Sequence, residues 1–258
     1  KAQRSSLSSL RFFLCGGTTI PGKLLQECHQ AGIQLLGVYG STESAPHVIV
    51  RPYDSLAHQM NTDGRAAAGI EVRVVDQKKM TLTENNEGEE ASRGPNVFVG
   101  YLDEPELTDR VLDDDGWYYS GDYCRMDKAG YIKITGRKKD IIVRGGENIS
   151  SREIEDILLL HPDIHDAGVV AMPDKRLGER SCAYVVLSHP QKTLQLADIV
   201  AFFAQRRIAK YKYPEYLVVV DKLPRTASGK IQKYILRQDI LQRLASLSQE
   251  TAGQTTLA

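Results

Sequence analysis

Apolar and polar positions change rhythm along the chain, and each rhythm predicts a different kind of structure. In the first sixty or so residues, two solid apolar runs at 11–15 and 33–39 flank a stretch from Pro21 to about Ala31 with helical spacing and a stop at Gly32. Proline suits the first turn of a helix, where its missing N–H would have no partner anyway. Unbroken apolar runs suit strands buried on both faces of a parallel sheet, so strand, helix, strand predicts an α/β layer. Both runs end in glycine- and hydroxyl-rich loops, CGGTT and YGSTES. In such sheets ligands sit beyond the carboxyl ends of the strands.

From about 61 to 138 the runs shorten. Strands are predicted at 70–76, 88–93, 97–101, 117–122 and 131–136, with turns at 84–88, 113–116 and 127–130, and only 104–112 reads as helical. This pattern predicts a small β-rich subdomain, barrel-like or a curled sheet. A third region follows: helix 151–160 ending before Pro162, strands 164–172 and 181–187, helix 196–208, strand 217–220, and a last helix over 231–247. The helix at 196–208 places Leu196, Ile199, Val200 and Phe203 on one face. Together these predict an α+β domain over 139–245 and a polar, disordered tail over 246–258.

The join between the second and third regions is the densest stretch of sequence. Gly136 to Asp140 is short and charged, so few apolar contacts can cross it, and it predicts a domain boundary at 138/139. The apolar run Ile141-Ile142-Val143 then leads to Gly145-Gly146, where something can approach the backbone closely. Ser150 and Glu153 have the spacing of a capping box, ahead of apolar Ile154, Ile157 and Leu158.

Composition narrows the function classes. Lys plus Arg equals Asp plus Glu at 33 each, so no global field draws the chain to nucleic acid or an anionic membrane. Cys15, Cys28, Cys124 and Cys182 form no CxxC pair and read as core fillers in a reducing compartment. No apolar run reaches the ~18 residues a membrane helix needs. The amino-terminal apolar patch is broken by serines and Arg11, so it reads as a helix end leading into a strand, not a signal peptide. A soluble, cytoplasmic protein is expected.

Several residues could carry chemistry. Tyr39 before the Gly40 turn can offer its ring to a flat heterocycle. Thr42 and Glu43 supply hard oxygens suited to Mg²⁺, although a strand-end turn with a helix cap would use the same residues. Asp122, at a glycine turn, could hold a ribose diol or only satisfy its own turn. Arg137 could reach a phosphate or ribose, or make a surface salt bridge. Lys230 ends a loop of small residues, Pro224 to Gly229, that could deliver an ammonium to a site assembled elsewhere or leave it solvated, the commoner use of such a lysine. No GxxxxGK[ST] phosphate loop is present, and Pro162 between His161 and His165 breaks what would be a helical metal pair.

CGGTTI, YGSTES, GEEASRGPNVFVGY, YYSGD, GYIKITGRKKDIIVRGGENISSREIE and PRTASGKIQK occur in this order and resemble the adenylate-forming superfamily of acyl-CoA synthetases, luciferases and adenylation domains. The RGGENIS form looks most like a bacterial short- or medium-chain fatty acyl-CoA synthetase. The resemblance implies ATP, Mg²⁺ and CoA as partners of a fatty acid. It places Gly16, Gly17 and Thr18 along the adenine, Tyr39 stacked on it with Gly40 in its turn, Thr42 at the α-phosphate and Glu43 on Mg²⁺. Asp122 would bind the ribose hydroxyls with help from Arg137. Lys139 would be the hinge of a mobile C-terminal domain, Gly145 and Gly146 would line the CoA path, and Lys230 would serve adenylation.

The family's upstream phosphate loop and most of the acyl pocket are absent from these residues, so the chain looks like the C-terminal half of an enzyme. Glu90 stands where the family usually has an apolar residue, and Ser151 where a proline is common. An aryl- or amino-acid ligase loading a carrier protein would share every motif. A nucleotide-binding fragment without turnover is the third reading; a peripheral membrane contact and a homodimer stay open.

Overall fold

The computed structural model describes residues 9–17 and 20–255, the last nine of them (247–255) by backbone alone. The chain divides into two compact units, Lys1–Lys138 and Lys139–Ala258.

In the first unit, β1 (Phe13–Gly16), α1 (Gly22–Gln30) and β2 (Leu35–Ser41) form the expected strand–helix–strand unit, with β1 and β2 parallel. Gly32, at φ +75°, stops the helix where a side chain would be strained. The chain then turns back antiparallel. β3 (Ala45–Ile49) pairs with β2, and after α2 (Leu56–Asn61) the three residues of β4 (Gly64–Ala66) bridge β3 and β8 (Tyr131–Arg137). Beyond β8 lie β7 (Tyr118–Met126), β6 (Gly88–Arg93) and β5 (Glu71–Val75). The β-rich strands thus join the α/β layer in one open sheet of eight strands, with β1 and β5 at its edges.

The segment expected as a strand at 97–101 is irregular. Gly94 (φ +157°) precedes it and Gly100 (φ +146°) lies within it, Pro95 offers no N–H, and the backbone wraps the β2–β3 turn, with Phe98 N–H donating to the Glu43 carbonyl at 2.7 Å. The predicted helix at 104–112 is present as α3 (Pro105–Val111).

The second unit is built on the hairpin of β11 (Ile164–Asp174) and β12 (Gly178–Leu187). Strand alternation sends Ala167, Val169, Ala183 and Val185 to one face, against α4 (Ser151–Leu158) and α5 (Leu196–Gln205). It sends Val170, Met172, Cys182 and Tyr184 to the other, against Leu236 and Ile240 of α6 (Lys233–Thr255). Both faces are covered, which is why these strands read as unbroken apolar runs. β9 (Ile141–Arg144), β10 (Glu147–Ser150) and β13 (Tyr216–Val219) complete the sheet.

The side chain of Ser150 caps α4 as the capping-box spacing predicts. Ser150 Oγ accepts from Glu153 N–H at 3.3 Å, while the Glu153 carboxylate takes the Lys212 ammonium. From 246, where a polar, disordered tail is expected, the backbone continues α6 to Thr255. Its Ser, Gln, Glu and Ala hold no proline, and extending an existing helix costs far less than starting one. The last three residues, 256–258, lie outside the described part.

Candidate functional site

Two signals far apart in the sequence meet in the first unit. β7 and β8 are in register at Asp122 and Arg137, and Arg137 Nε donates to Asp122 Oδ1 at 2.7 Å. From β2, the Tyr39 hydroxyl donates to the other carboxylate oxygen, Oδ2, at 3.0 Å. Burial, with Glu90 and Asp122 nearby, pushes the Tyr39 hydroxyl far above its usual range, so it stays a donor. The Asp122 side chain is only 7 % exposed, whereas Arg137 is half in solvent. Just before it, Gly121 (φ +70°) turns its N–H to Glu89 Oε1 at 3.0 Å, and Lys138 Nζ holds the second Glu89 oxygen at 2.9 Å.

The turn after Tyr39 is set by a close approach. A Cβ on Gly40 would lie 2.0 Å from the Ala45 carbonyl oxygen and 2.7 Å from Pro46 Cα, so only glycine lets β2 and β3 close here. Gly40→Ala is expected to cost about 3 kcal/mol in urea unfolding, because the clash is with backbone. A midpoint unchanged from wild type would mean the hairpin yields. The turn presents Thr42 in the open and Glu43 half-buried.

Partial burial raises the Glu43 carboxyl, but its own backbone N–H, Tyr101, Ser41 and Tyr118 outweigh that and hold it below the usual range. Tyr101 donates to Glu43 Oε1 at 2.9 Å, a contact the sequence did not announce. Among the described residues no group of three or more His, Cys, Asp or Glu could enclose a metal. Mg²⁺ bound through one carboxylate and phosphate oxygens needs no such cage, so the Glu43 donor fits that mode.

Gly16 and Gly17 close β1 beside β2, with Gly16 opposite Val38. A Cβ on Gly16 would sit 2.5 Å from the Val38 carbonyl oxygen. Thr18 lies outside the described residues.

In the second unit Lys139 is exposed, in a 3-10 turn over Lys138–Asp140, and Arg237 of α6 donates to its carbonyl at 3.0 Å and pairs with Asp140. Gly145 and Gly146, at φ +58° and +93°, form the two-residue turn of the β9–β10 hairpin. Gly145 N–H donates to Leu177 O at 2.8 Å, beside the Asp174 end of β11. The loop with Lys230 is pinned at the other end, where Arg225 pairs with Asp166 at 2.6 Å. Thr226 N–H to Lys230 O and Gly229 N–H to Thr226 O, both 2.9 Å, close the loop with Lys230 exposed. Asp166 and Asp174 are eight residues apart on one strand, about 27 Å at the usual rise. The glycine turn and the lysine loop are therefore at opposite ends of one rigid strand.

Comparison with known proteins bears on these elements. The AMP-binding enzyme family matches residues 1–102, and the AMP-binding enzyme C-terminal domain matches residues 153–230. The chain is 70 % identical over 242 residues to the medium-chain fatty-acid–CoA ligase of Escherichia coli (strain K12), covering 94 % of this chain and 43 % of that protein. The structure superposes on ATP-bound MatB from Rhodopseudomonas palustris with a TM-score of 0.85 at 31 % identity, covering 92 % of this chain and 47 % of that one. On the o-succinylbenzoate CoA synthetase of Bacillus subtilis in complex with its acyl-adenylate intermediate the TM-score is 0.80 at 31 % identity, over 91 % and 49 % of the two chains. The chain spans less than half the length of each. With one match taking in the glycine loops that follow β1 and β2, and the other taking in the loop that ends at Lys230, the chain belongs to the AMP-binding enzyme family, the adenylate-forming enzymes.

Proposed function

We propose that the full-length protein containing this chain is an ATP-dependent fatty acid–CoA ligase, which forms an acyl-adenylate and then transfers the acyl group to CoA. Asp122 carries the nucleotide part of the reading. An ionised carboxylate with one oriented donor on each oxygen keeps an acceptor position on both, which suits a vicinal diol such as ribose. Gly16 and Gly17 would leave a ledge free of side chains for adenine, against the Tyr39 ring. The likeness to the E. coli enzyme supports a medium-chain fatty acid as the acyl substrate and CoA as the acceptor.

In the first step a carboxylate oxygen attacks the α-phosphorus of ATP and pyrophosphate leaves. Two anions must meet, so positive charge at the reacting centre is worth most in the transition state. Lys230 would supply an ammonium and Thr42 a hydroxyl to the α-phosphate; Mg²⁺ held by Glu43 would neutralise phosphate charge. In the second step a thiol sulfur attacks the acyl carbonyl carbon and AMP leaves, with no second phosphate repulsion to cancel. The exposed backbone of Gly145 and Gly146 would then line the pantetheine path, with Lys139 as pivot. Their separation from the lysine loop along β11 favours loops that serve in turn. Four unpaired thiols fit a reducing compartment such as the cytoplasm.

The full-length protein with ATP, Mg²⁺, CoA and a medium-chain fatty acid is expected to yield acyl-CoA, AMP and pyrophosphate in equal amounts. Release of ADP and phosphate would overturn the reaction class. Acylation of a holo-carrier protein in preference to CoA would overturn the acceptor.

A further inference from the structure

Glu90, the position that departs from the family pattern, is fully buried, and so is His47 on β3. His47 Nδ1 lies 3.0 Å from the Ala45 carbonyl oxygen, which can only accept, so Nδ1 carries a hydrogen. Nε2 lies 3.1 Å from Glu90 Oε1. The other Glu90 oxygen is 3.4 Å from the Tyr39 hydroxyl, which is 3.0 Å from Asp122 Oδ2. His47 also meets the Tyr39 ring edge to face, with centroids 5.5 Å apart. An unbroken line of polar contacts thus runs from a buried backbone carbonyl through His47, Glu90 and Tyr39 to Asp122.

Burying two ionisable side chains is costly and seldom repaid in stability, so a use beyond the fold is a fair question to ask of them. Their line ends on Asp122 Oδ2, while Arg137 Nε holds Oδ1. Arg137 is half in solvent and could let the carboxylate swing; the buried hydroxyl is the stiffer anchor. Tyr39 has a single hydroxyl hydrogen and two acidic groups in reach, and the shorter contact sends it to Asp122. Glu90 and His47 fix where that hydroxyl sits by packing, one carboxylate oxygen 3.4 Å from it and the imidazole edge to face with its ring.

We infer that Glu90 and His47 are positioning residues for ribose recognition, acting through the Tyr39 hydroxyl to hold Asp122 in the plane that accepts both sugar hydroxyls. This rests on the reading of Asp122 as the ribose carboxylate.

The test compares kcat/KM for ATP with that for 2′,3′-dideoxy-ATP, which lacks both hydroxyls, in the full-length protein. Tyr39→Phe keeps the ring and removes only the hydroxyl; it is expected to cut the preference for ATP about tenfold, as befits one hydrogen bond to a charged group. The double variant His47→Leu/Glu90→Leu removes both buried partners together, which folds tolerate better than removing one. It is expected to cut the preference at least threefold, with dideoxy-ATP turnover nearly unchanged. A purely structural role would lower both nucleotides alike and leave their ratio intact, and a ratio unchanged in the double variant overturns the inference. A wild-type protein that does not prefer ATP to the dideoxy nucleotide would instead overturn the reading of Asp122 itself.

Discussion

Lys230→Ala in the full-length protein is expected to slow acyl-adenylate formation by roughly 10²–10³-fold, about 3–4 kcal/mol, by analogy with the loss of one preorganised donor to a developing charge. The same variant should transfer a preformed acyl-adenylate to CoA at a rate within about threefold of wild type. The two effects separate because only the first step brings a carboxylate against a polyphosphate. The ammonium sits on an exposed loop whose foot is tied by Arg225 to Asp166, so its removal leaves no buried charge behind. Pyrophosphate exchange reports the first step and single-turnover thioester formation the second. An equal fall in both would show that the lysine serves the domain as a whole, and its assignment to adenylation would be lost.

Glu155→Ala is expected to destabilise the second unit by about 3–5 kcal/mol, the usual effect of stranding one member of a buried pair. Lys233 Nζ lies 2.7 Å from Glu155 Oε1 and 2.8 Å from Ser151 Oγ, and the two side chains are 15 % and 14 % exposed. Val169 N–H donates to the same carboxylate oxygen at 2.7 Å, so α4, β11 and the start of α6 meet at one point. Burial pushes the Glu155 carboxyl above its ordinary range despite the ammonium beside it. A carboxyl raised in the folded state adds stability that is complete below its unfolded pKa and is lost as pH rises through the folded value. A buried ion pair of this kind is a poor stabiliser, although either half alone is worse. Replacing both residues with leucine should recover most of what Glu155→Ala loses. Guanidinium unfolding checks this, and a double variant as unstable as the single one would show that packing rather than charge governs the site.

Local chemistry was enough to foresee much of this architecture. Gly32 as a helix stop, the paired glycines after Val143 and the apolar β11–β12 runs each follow from what neighbouring residues permit. Asp122 and Arg137 stood out because each follows a glycine in a recognisable motif. What escaped notice depends on pairing between distant segments. β4 is three residues long, too short to show any period, yet it joins the two halves of the eight-stranded sheet. Val97 to Tyr101 has strand-like composition, but Gly94, Pro95 and Gly100 turn it into a wrap around Glu43. Glu90 was visible only as a departure from pattern, and His47 not at all. Their meeting depends on the register of strands 43 positions apart in sequence, which no local spacing encodes.

The length of β11 has an evolutionary corollary. On the proposed function, substitutions near the Gly145 end would retune which thiol is received, and substitutions near Asp166 would retune how fast the acid is activated, with a stiff spacer keeping either change from disturbing the other. A lineage could in this way exchange acceptors while keeping its activation chemistry, so acceptor choice is open to gradual selection.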